Sequence, residues 1–124
     1  MNGRVAAAII ILAAVTLVGL LGMYYLKNIS LELCAMVDDM KESEDEGELL
    51  QLFEQFKKEY SRYSTAMTLF ADNGNIYDID LSVRKAEGLM KKGINEELIS
   101  ELANIAGAIN DVYQRMRPNL KNIL

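Results

Sequence analysis

Apolar side chains recur every three or four positions along most of this chain, which is the spacing of one face of an α-helix. Four such stripes follow one another beyond residue 28, with charged and amide side chains between their members. The stripes are Ile29, Leu33, Met36 and Met40; Leu49, Phe53, Phe56, Tyr60, Tyr63, Met67 and Phe70; Ile76, Ile79, Val83, Ala86 and Met90; and Leu98, Leu102, Ile105, Ile109, Val112 and Met116. The pattern predicts an all-α fold, because strand-like alternation is absent from the sequence.

Turn-forming residues separate the four stripes. The predicted breaks lie, in chain order, at Gly47, at Asp72, Asn73 and Gly74, and at Gly93. Asn95 is placed to cap the fourth helix at its N-terminus, and Pro118 is placed to end it. Connections this short make successive helices antiparallel, so we predict an up-down bundle of about four helices.

A different pattern covers the N-terminus, where Val5 to Leu26 carry no charged side chain. A helix of that length spans roughly 33 Å, close to the thickness of a bilayer's hydrocarbon core. We therefore predict a transmembrane anchor at residues 1–27 and an acidic helical bundle with a short C-terminal tail at residues 28–124. A cleaved signal peptide is the alternative, but the apolar run exceeds its usual core of about 7 to 15 residues.

The flanks of the anchor indicate how it lies in a membrane. Tyr24 and Tyr25, followed by Lys27, are typical of the membrane–water interface. Arg4 and the α-amino group give the N-terminal flank slightly more positive charge than Lys27 gives the other. We therefore expect a single-pass protein of a bacterial cell membrane, with its N-terminus in the cytoplasm and its bundle outside.

The anchor and the first bundle helix are expected to be continuous, since no proline or glycine lies between Met23 and Glu46. The alternative for the first apolar stripe is a seam between two parallel chains, which would make a homodimer. Small residues that favour such a seam are Gly3, Ala7, Ala14 and Gly22. We favour an intramolecular core, because three further helices offer apolar faces to this one.

Charge and composition exclude several classes of function. The chain has 13 Lys and Arg against 18 Asp and Glu, and every acidic residue lies beyond residue 28. Such an acidic domain repels phosphate backbones, so we expect no nucleic-acid partner. The single Cys34 cannot form an internal disulfide; we interpret it as a packed helical thiol, although it is able to link two chains.

The residue types needed for catalysis are scarce. The chain has no histidine, one cysteine and no glycine pattern of a nucleotide-binding loop. We therefore predict a protein that is not an enzyme and has no cofactor or catalytic residue.

Two acidic clusters are candidate calcium sites, because Ca²⁺ takes several oxygen ligands. They are Asp38, Asp39, Glu42, Glu44, Asp45, Glu46 and Glu48, and Asp72, Asn73, Asn75, Asp78 and Asp80. Neither has the order of ligands and glycine found in an EF-hand, so we interpret both as solvated turns and helix ends and predict no metal site. The aromatic residues either line a ligand pocket or pack in the core. They are Phe53, Phe56, Tyr60 and Tyr63, and their position on one apolar stripe favours the core.

The C-terminus resembles a known family. The segments that carry the resemblance are Tyr113, Arg117-Pro118-Asn119-Leu120 and Asn122-Ile123-Leu124, with Leu69-Phe70, Ile76, Ile79, Asp80, Ser82, Val83 and Arg84 in the middle of the chain. They resemble an uncharacterised domain-of-unknown-function family (number 4363) of short single-span membrane proteins from clostridia and related bacteria. The resemblance implies no activity or cofactor, but it implies a complex, since members are often encoded beside another small membrane protein.

Two hypotheses for function follow. The first is a membrane-anchored interaction module, an accessory subunit that presents its bundle or tail to a membrane-protein partner. The expected contact residues are Tyr113, Pro118, Asn119, Leu120, Ile123 and Leu124. The alternative for the tail is that it covers the open end of the bundle. The second hypothesis for the protein is an extracytoplasmic sensor of a ligand or cation.

Overall fold

The computed structural model describes residues 2–70 and 73–116. Within these ranges the chain forms four α-helices and no strand: α1 (Gly3–Glu42), α2 (Glu46–Phe70), α3 (Asn73–Met90) and α4 (Glu96–Met116). α1 packs against α2 and α4, while α3 packs against α4 and, less extensively, against α2. The all-α up-down bundle predicted from the apolar stripes is confirmed.

α1 joins the apolar N-terminus to the bundle without interruption. It has 40 residues and is therefore about 60 Å long. Its first half, residues 3–21, which we call the apolar arm, leaves almost every side chain exposed, whereas Gly22 and Leu26 are buried. This helix is long and apolar enough to cross a membrane.

The core of the bundle consists of the predicted stripes, with two exchanges. Val37 is buried where Met36 was expected, and Leu89 is buried where Met90 was expected; both methionines are only partly buried. The side chains that fill the core include Leu26, Ile29, Leu33 and Met40 from α1, Leu49, Phe53, Phe56, Tyr60, Tyr63 and Met67 from α2, Ile76, Ile79, Val83 and Ala86 from α3, and Leu98, Leu102, Ile105, Ile109 and Val112 from α4. The buried residues of the first stripe, Ile29, Leu33 and Met40, therefore pack in the intramolecular core.

Two of the predicted breaks are wrong in detail. Gly47 lies inside the first turn of α2, and its N–H donates to the Asp45 carboxylate at 3.1 Å, so that Asp45 caps the helix. Asn73 and Gly74 lie inside the first turn of α3. The N–H groups of a first turn have no intrahelical partner, so turn-forming residues are accepted there more readily than in a helix interior. Asp72 lies outside the described residues.

The connection between α3 and α4 is as predicted. Gly93 has a φ of +91°, and its N–H donates to the carbonyl of Met90 at 3.2 Å, which ends α3. A Cβ at Gly93 would lie 2.8 Å from Oε1 of Glu46, at the start of α2. The Asn95 side chain accepts the N–H of Leu98 at 2.9 Å and caps α4.

Candidate functional site

Most of the residues expected to contact a partner lie at the end of the chain. Tyr113 is half-buried in the last turns of α4. The others, Pro118, Asn119, Leu120, Ile123 and Leu124, lie outside the described residues.

The position of α4 shows where this end of the chain begins. The Cys34 thiol on α1 donates a hydrogen bond to the Ala106 carbonyl on α4 at 3.6 Å. The two helices are antiparallel, so Tyr24, ten residues before Cys34, and Met116, ten residues after Ala106, lie at about the same height along the bundle axis. Both are roughly 15 Å nearer the apolar arm than the Cys34–Ala106 contact. The chain therefore leaves α4 beside the arm.

α2 reaches further along α1 than the predicted domain boundary at residue 27 suggests. A groove of about 360 Å³ between the two helices is lined by Tyr25, Ser61, Arg62, Thr65, Ala66 and Leu69. The α2 residues that line the groove centre on Thr65, which places Thr65 level with Tyr25 of α1. Leu69 follows Thr65 by four residues and therefore lies roughly 6 Å nearer the arm than Tyr25, level with Leu21. The last turn of α2 thus overlaps the apolar sequence.

α3 places a third tyrosine at this height. The Tyr60 hydroxyl on α2 donates to the Asp80 carboxylate on α3, which aligns the two helices. Along the bundle axis, Tyr60 lies about 7 Å further from the arm than Thr65. Tyr77 lies about 4 Å nearer the arm than Asp80. Tyr77 is therefore within one helical turn of the height of Tyr25.

We call four large exposed side chains at this end, Tyr24, Tyr25, Leu69 and Tyr77, the arm-proximal rim. Their exposed fractions are 64% for Tyr24, 44% for Tyr25, 72% for Leu69 and 63% for Tyr77. The rim draws on three helices and continues the exposed apolar surface of the arm. Sequence periodicity missed it, because Leu69 and Tyr77 fall outside the buried stripes and only the packing brings them to the same end of the bundle.

The opposite end of the bundle is acidic. A groove of about 450 Å³ there is lined by Asp39, Glu42, Ser43, Glu44, Glu48 and Leu52. No three acidic or cysteine side chains in the described part of the chain converge closely enough to hold a metal ion. We call this surface, residues 38–48, the acidic end.

An aromatic stack fills the interface that α2 presents to the core. The rings of Phe53, Phe56, Tyr60 and Tyr63 follow one another with centroids about 6 Å apart. All four side chains are buried, in agreement with the core interpretation. Burial, together with the hydrogen bond to Asp80, raises the pKa of Tyr60.

The buried Tyr63 lies close enough to the partly buried Cys34 for the two to interact electrostatically. The Tyr63 hydroxyl has no hydrogen-bond partner among the described residues. Burial, with a smaller effect of Cys34, raises the pKa of Tyr63 to about 12. Burial and the Asp38 carboxylate raise the pKa of the Cys34 thiol, which disfavours the reactive thiolate.

Ion pairs join the helices around this core. Lys57 lies 3.1 Å from Glu87 and 3.2 Å from Glu54 and so links α2 to α3. Glu101 is a buried carboxylate on α4, and the exposed Lys85 of α3 reaches it at 3.5 Å. Glu101 was missed in the sequence because a charged residue beside Leu102 interrupts the apolar pattern.

These features define an antiparallel α-helical bundle built on one long apolar helix. The chain belongs to the family described as domain of unknown function DUF4363, whose family model matches residues 20–123. The match begins where α1 enters the bundle. No curated protein and no solved structure matches the chain.

Proposed function

We propose that this protein is a non-enzymatic, single-pass membrane module of a bacterial cell, and that it acts as an accessory subunit of a membrane complex. The observation that carries the proposal is the continuity of α1. One helix supplies both an exposed apolar arm and one wall of the bundle core. An exposed apolar surface of this size is stable in lipid and not in water.

The partner is expected to be a second membrane protein. α4 ends beside the arm, so Tyr113 and the residues after it start at the height where a neighbouring membrane protein would lie. We propose that the chain contacts this partner through the expected residues Tyr113, Pro118, Asn119, Leu120, Ile123 and Leu124.

Purification of the tagged full-length protein from its own membranes in mild detergent, with crosslinking and mass spectrometry, tests the proposal. We expect a stoichiometric second membrane protein, crosslinked near the C-terminus. The triple variant Leu120→Ser, Ile123→Ser and Leu124→Ser should release it. The control is Leu50→Ser, which removes an exposed leucine near the acidic end and should leave the partner bound.

Circular dichroism separates partner binding from folding in the same variants. The triple variant should keep the melting temperature of the wild type if the three residues serve a partner. A large fall in that temperature would show that they are part of the bundle core, and recovery of the wild-type chain alone would overturn the proposal.

A sensor of cations is the second candidate function; the groove at the acidic end is the region to test, and it holds no group of three described ligands close enough together for a metal ion. Four carboxylates line that groove, from Asp39, Glu42, Glu44 and Glu48. Binding to the folded state alone would raise the melting temperature by mass action. An unchanged melting temperature with millimolar CaCl₂ would exclude a calcium sensor.

A further inference from the structure

The apolar arm is shorter than the apolar sequence that contains it. The exposed stretch from Val5 to Leu21 is about 25 Å long, because Gly22 and Leu26 are already buried in the bundle. The hydrocarbon core of a bilayer is about 30 Å thick. An arm that spans this core therefore draws the near end of the bundle into the membrane–water interface.

The side chains at that end suit the interface. Tyrosine is enriched at headgroup level, where its ring is in an apolar layer and its hydroxyl in a wet one. Tyr24, Tyr25 and Tyr77 bring three exposed tyrosines to this end of the bundle from two helices, and Leu69 adds the most exposed large apolar side chain among the described residues of the bundle. In water Tyr24 and Tyr25 would extend the exposed apolar surface of the arm, with Leu69 and Tyr77 exposed at the same end of the bundle.

Net charge does not explain a lipid contact here. Lys27 and Arg62 lie near the rim, but Arg62 pairs with Glu59 at 3.6 Å and Asp78 follows Tyr77. The excess of acidic residues gathers at the other end, which anionic lipids repel. Contact at the rim is therefore apolar and aromatic and needs no anionic lipid.

We infer that the arm-proximal rim is a lipid-binding surface, and that Leu69 of α2 and Tyr77 of α3 lie in the headgroup layer. The occupant is the bilayer itself, because Tyr24 and Tyr25 follow directly on the exposed side chains of the arm in the same helix. The inference rests on the proposal that α1 spans a membrane, and it adds that the bundle is partly immersed in the interface.

Single tryptophans test this directly, because the chain has none of its own. The full-length variants Leu69→Trp and Tyr77→Trp are reconstituted in phosphatidylcholine vesicles, with and without lipids brominated at a shallow or a deep position of the acyl chain. Leu12→Trp in the arm is the positive control. Leu50→Trp, 55% exposed and near the acidic end, is the aqueous control.

We expect the two rim tryptophans to emit at shorter wavelength than Leu50→Trp. Brominated lipid should quench each of them at least half as strongly as it quenches Leu12→Trp, and should leave Leu50→Trp unaffected. Circular dichroism checks that each variant folds. The two rim positions lie on different helices, so if one variant folds poorly, the other still tests whether the rim contacts lipid.

Three results would overturn the inference. Rim tryptophans that behave like Leu50→Trp, while Leu12→Trp is quenched, would place the rim in water and leave the spanning helix intact. A blue-shifted but unquenched rim would show that protein, such as a second copy of the chain, covers it. An unquenched Leu12→Trp would remove the spanning helix and the inference together.

Discussion

The Tyr60 hydroxyl donates a hydrogen bond to the Asp80 carboxylate and so joins α2 to α3, the neighbouring helices with the least extensive packing. The contact lies between the aromatic stack and the surface, where a charge-assisted hydrogen bond is only partly screened by water. With the Lys57–Glu87 ion pair it holds the two helices in register.

Removing this bond should destabilise the bundle. Tyr60→Phe keeps the buried ring but leaves the Asp80 carboxylate without the hydroxyl, which costs about 1 to 2 kcal/mol. For a domain of this size that corresponds to a fall in Tm of roughly 5 to 10 °C, measured by circular dichroism in detergent. Tyr77→Phe, which removes an exposed hydroxyl, should melt like the wild type, and an unchanged Tm for Tyr60→Phe would contradict the assignment.

The neighbouring tyrosine should respond in the opposite direction. The Tyr63 hydroxyl is buried and has no hydrogen-bond partner among the described residues, so its removal leaves no group unpaired. Tyr63→Phe should therefore have a Tm equal to or above that of the wild type in the same melting experiment. A loss of several degrees would show that the hydroxyl has a stabilising partner.

Alkaline pH should lower the free energy of unfolding of the wild type more than that of Tyr63→Phe. Burial raises the pKa of Tyr63 from an ordinary 10.0 to about 12, so the unfolded state loses this proton first as pH rises. The folded state then holds more protons than the unfolded state, and the free energy of unfolding falls between pH 10 and 12. Urea unfolding across this range should give a steeper fall for the wild type, and equal slopes would show that Tyr63 ionises normally.

Two glycines should give opposite results when changed to alanine. Gly93 has a left-handed backbone conformation. An alanine is strained in that conformation, so Gly93→Ala should lower the free energy of unfolding by about 1 to 2 kcal/mol. Gly88 lies on the open surface of α3 with nothing near its Cβ position, so Gly88→Ala should stabilise the helix by about 0.5 to 1 kcal/mol. Melting curves of the two variants check both signs, and a stabilised Gly93→Ala would mean that the α3–α4 turn has another geometry.

Cysteine labelling in intact cells tests the proposed orientation. In a Cys34→Ser background, whose serine is still able to donate to the Ala106 carbonyl, Glu48→Cys marks the acidic end and Gly3→Cys marks the start of the arm. A membrane-impermeant maleimide should label Glu48→Cys in intact cells and Gly3→Cys only after permeabilisation. The reverse pattern would place the bundle in the cytoplasm, and equal labelling would mean that α1 does not span.

Sequence periodicity predicted which face of each helix is buried, and it did so for nearly the whole core. Gly93 and Asn95 were also predictable, because the left-handed turn and the side-chain cap are local features of the chain. The Tyr60–Asp80 bond and the buried Glu101 were not, since they depend on how far one helix is shifted along another. The same shift sets the heights of Leu69 and Tyr77, so the rim emerged only from the packed bundle.

Because α1 passes from the arm into the bundle as one helix, no hinge separates the arm from the bundle. Transmembrane helices are tilted by about 20° on average, and that angle changes with bilayer thickness. About 30 Å of α1 lies within the bundle, so a change in tilt of that size moves the acidic end sideways by roughly 10 Å. In the proposed membrane-spanning arrangement, any tilt of the arm is thus passed on to the whole bundle.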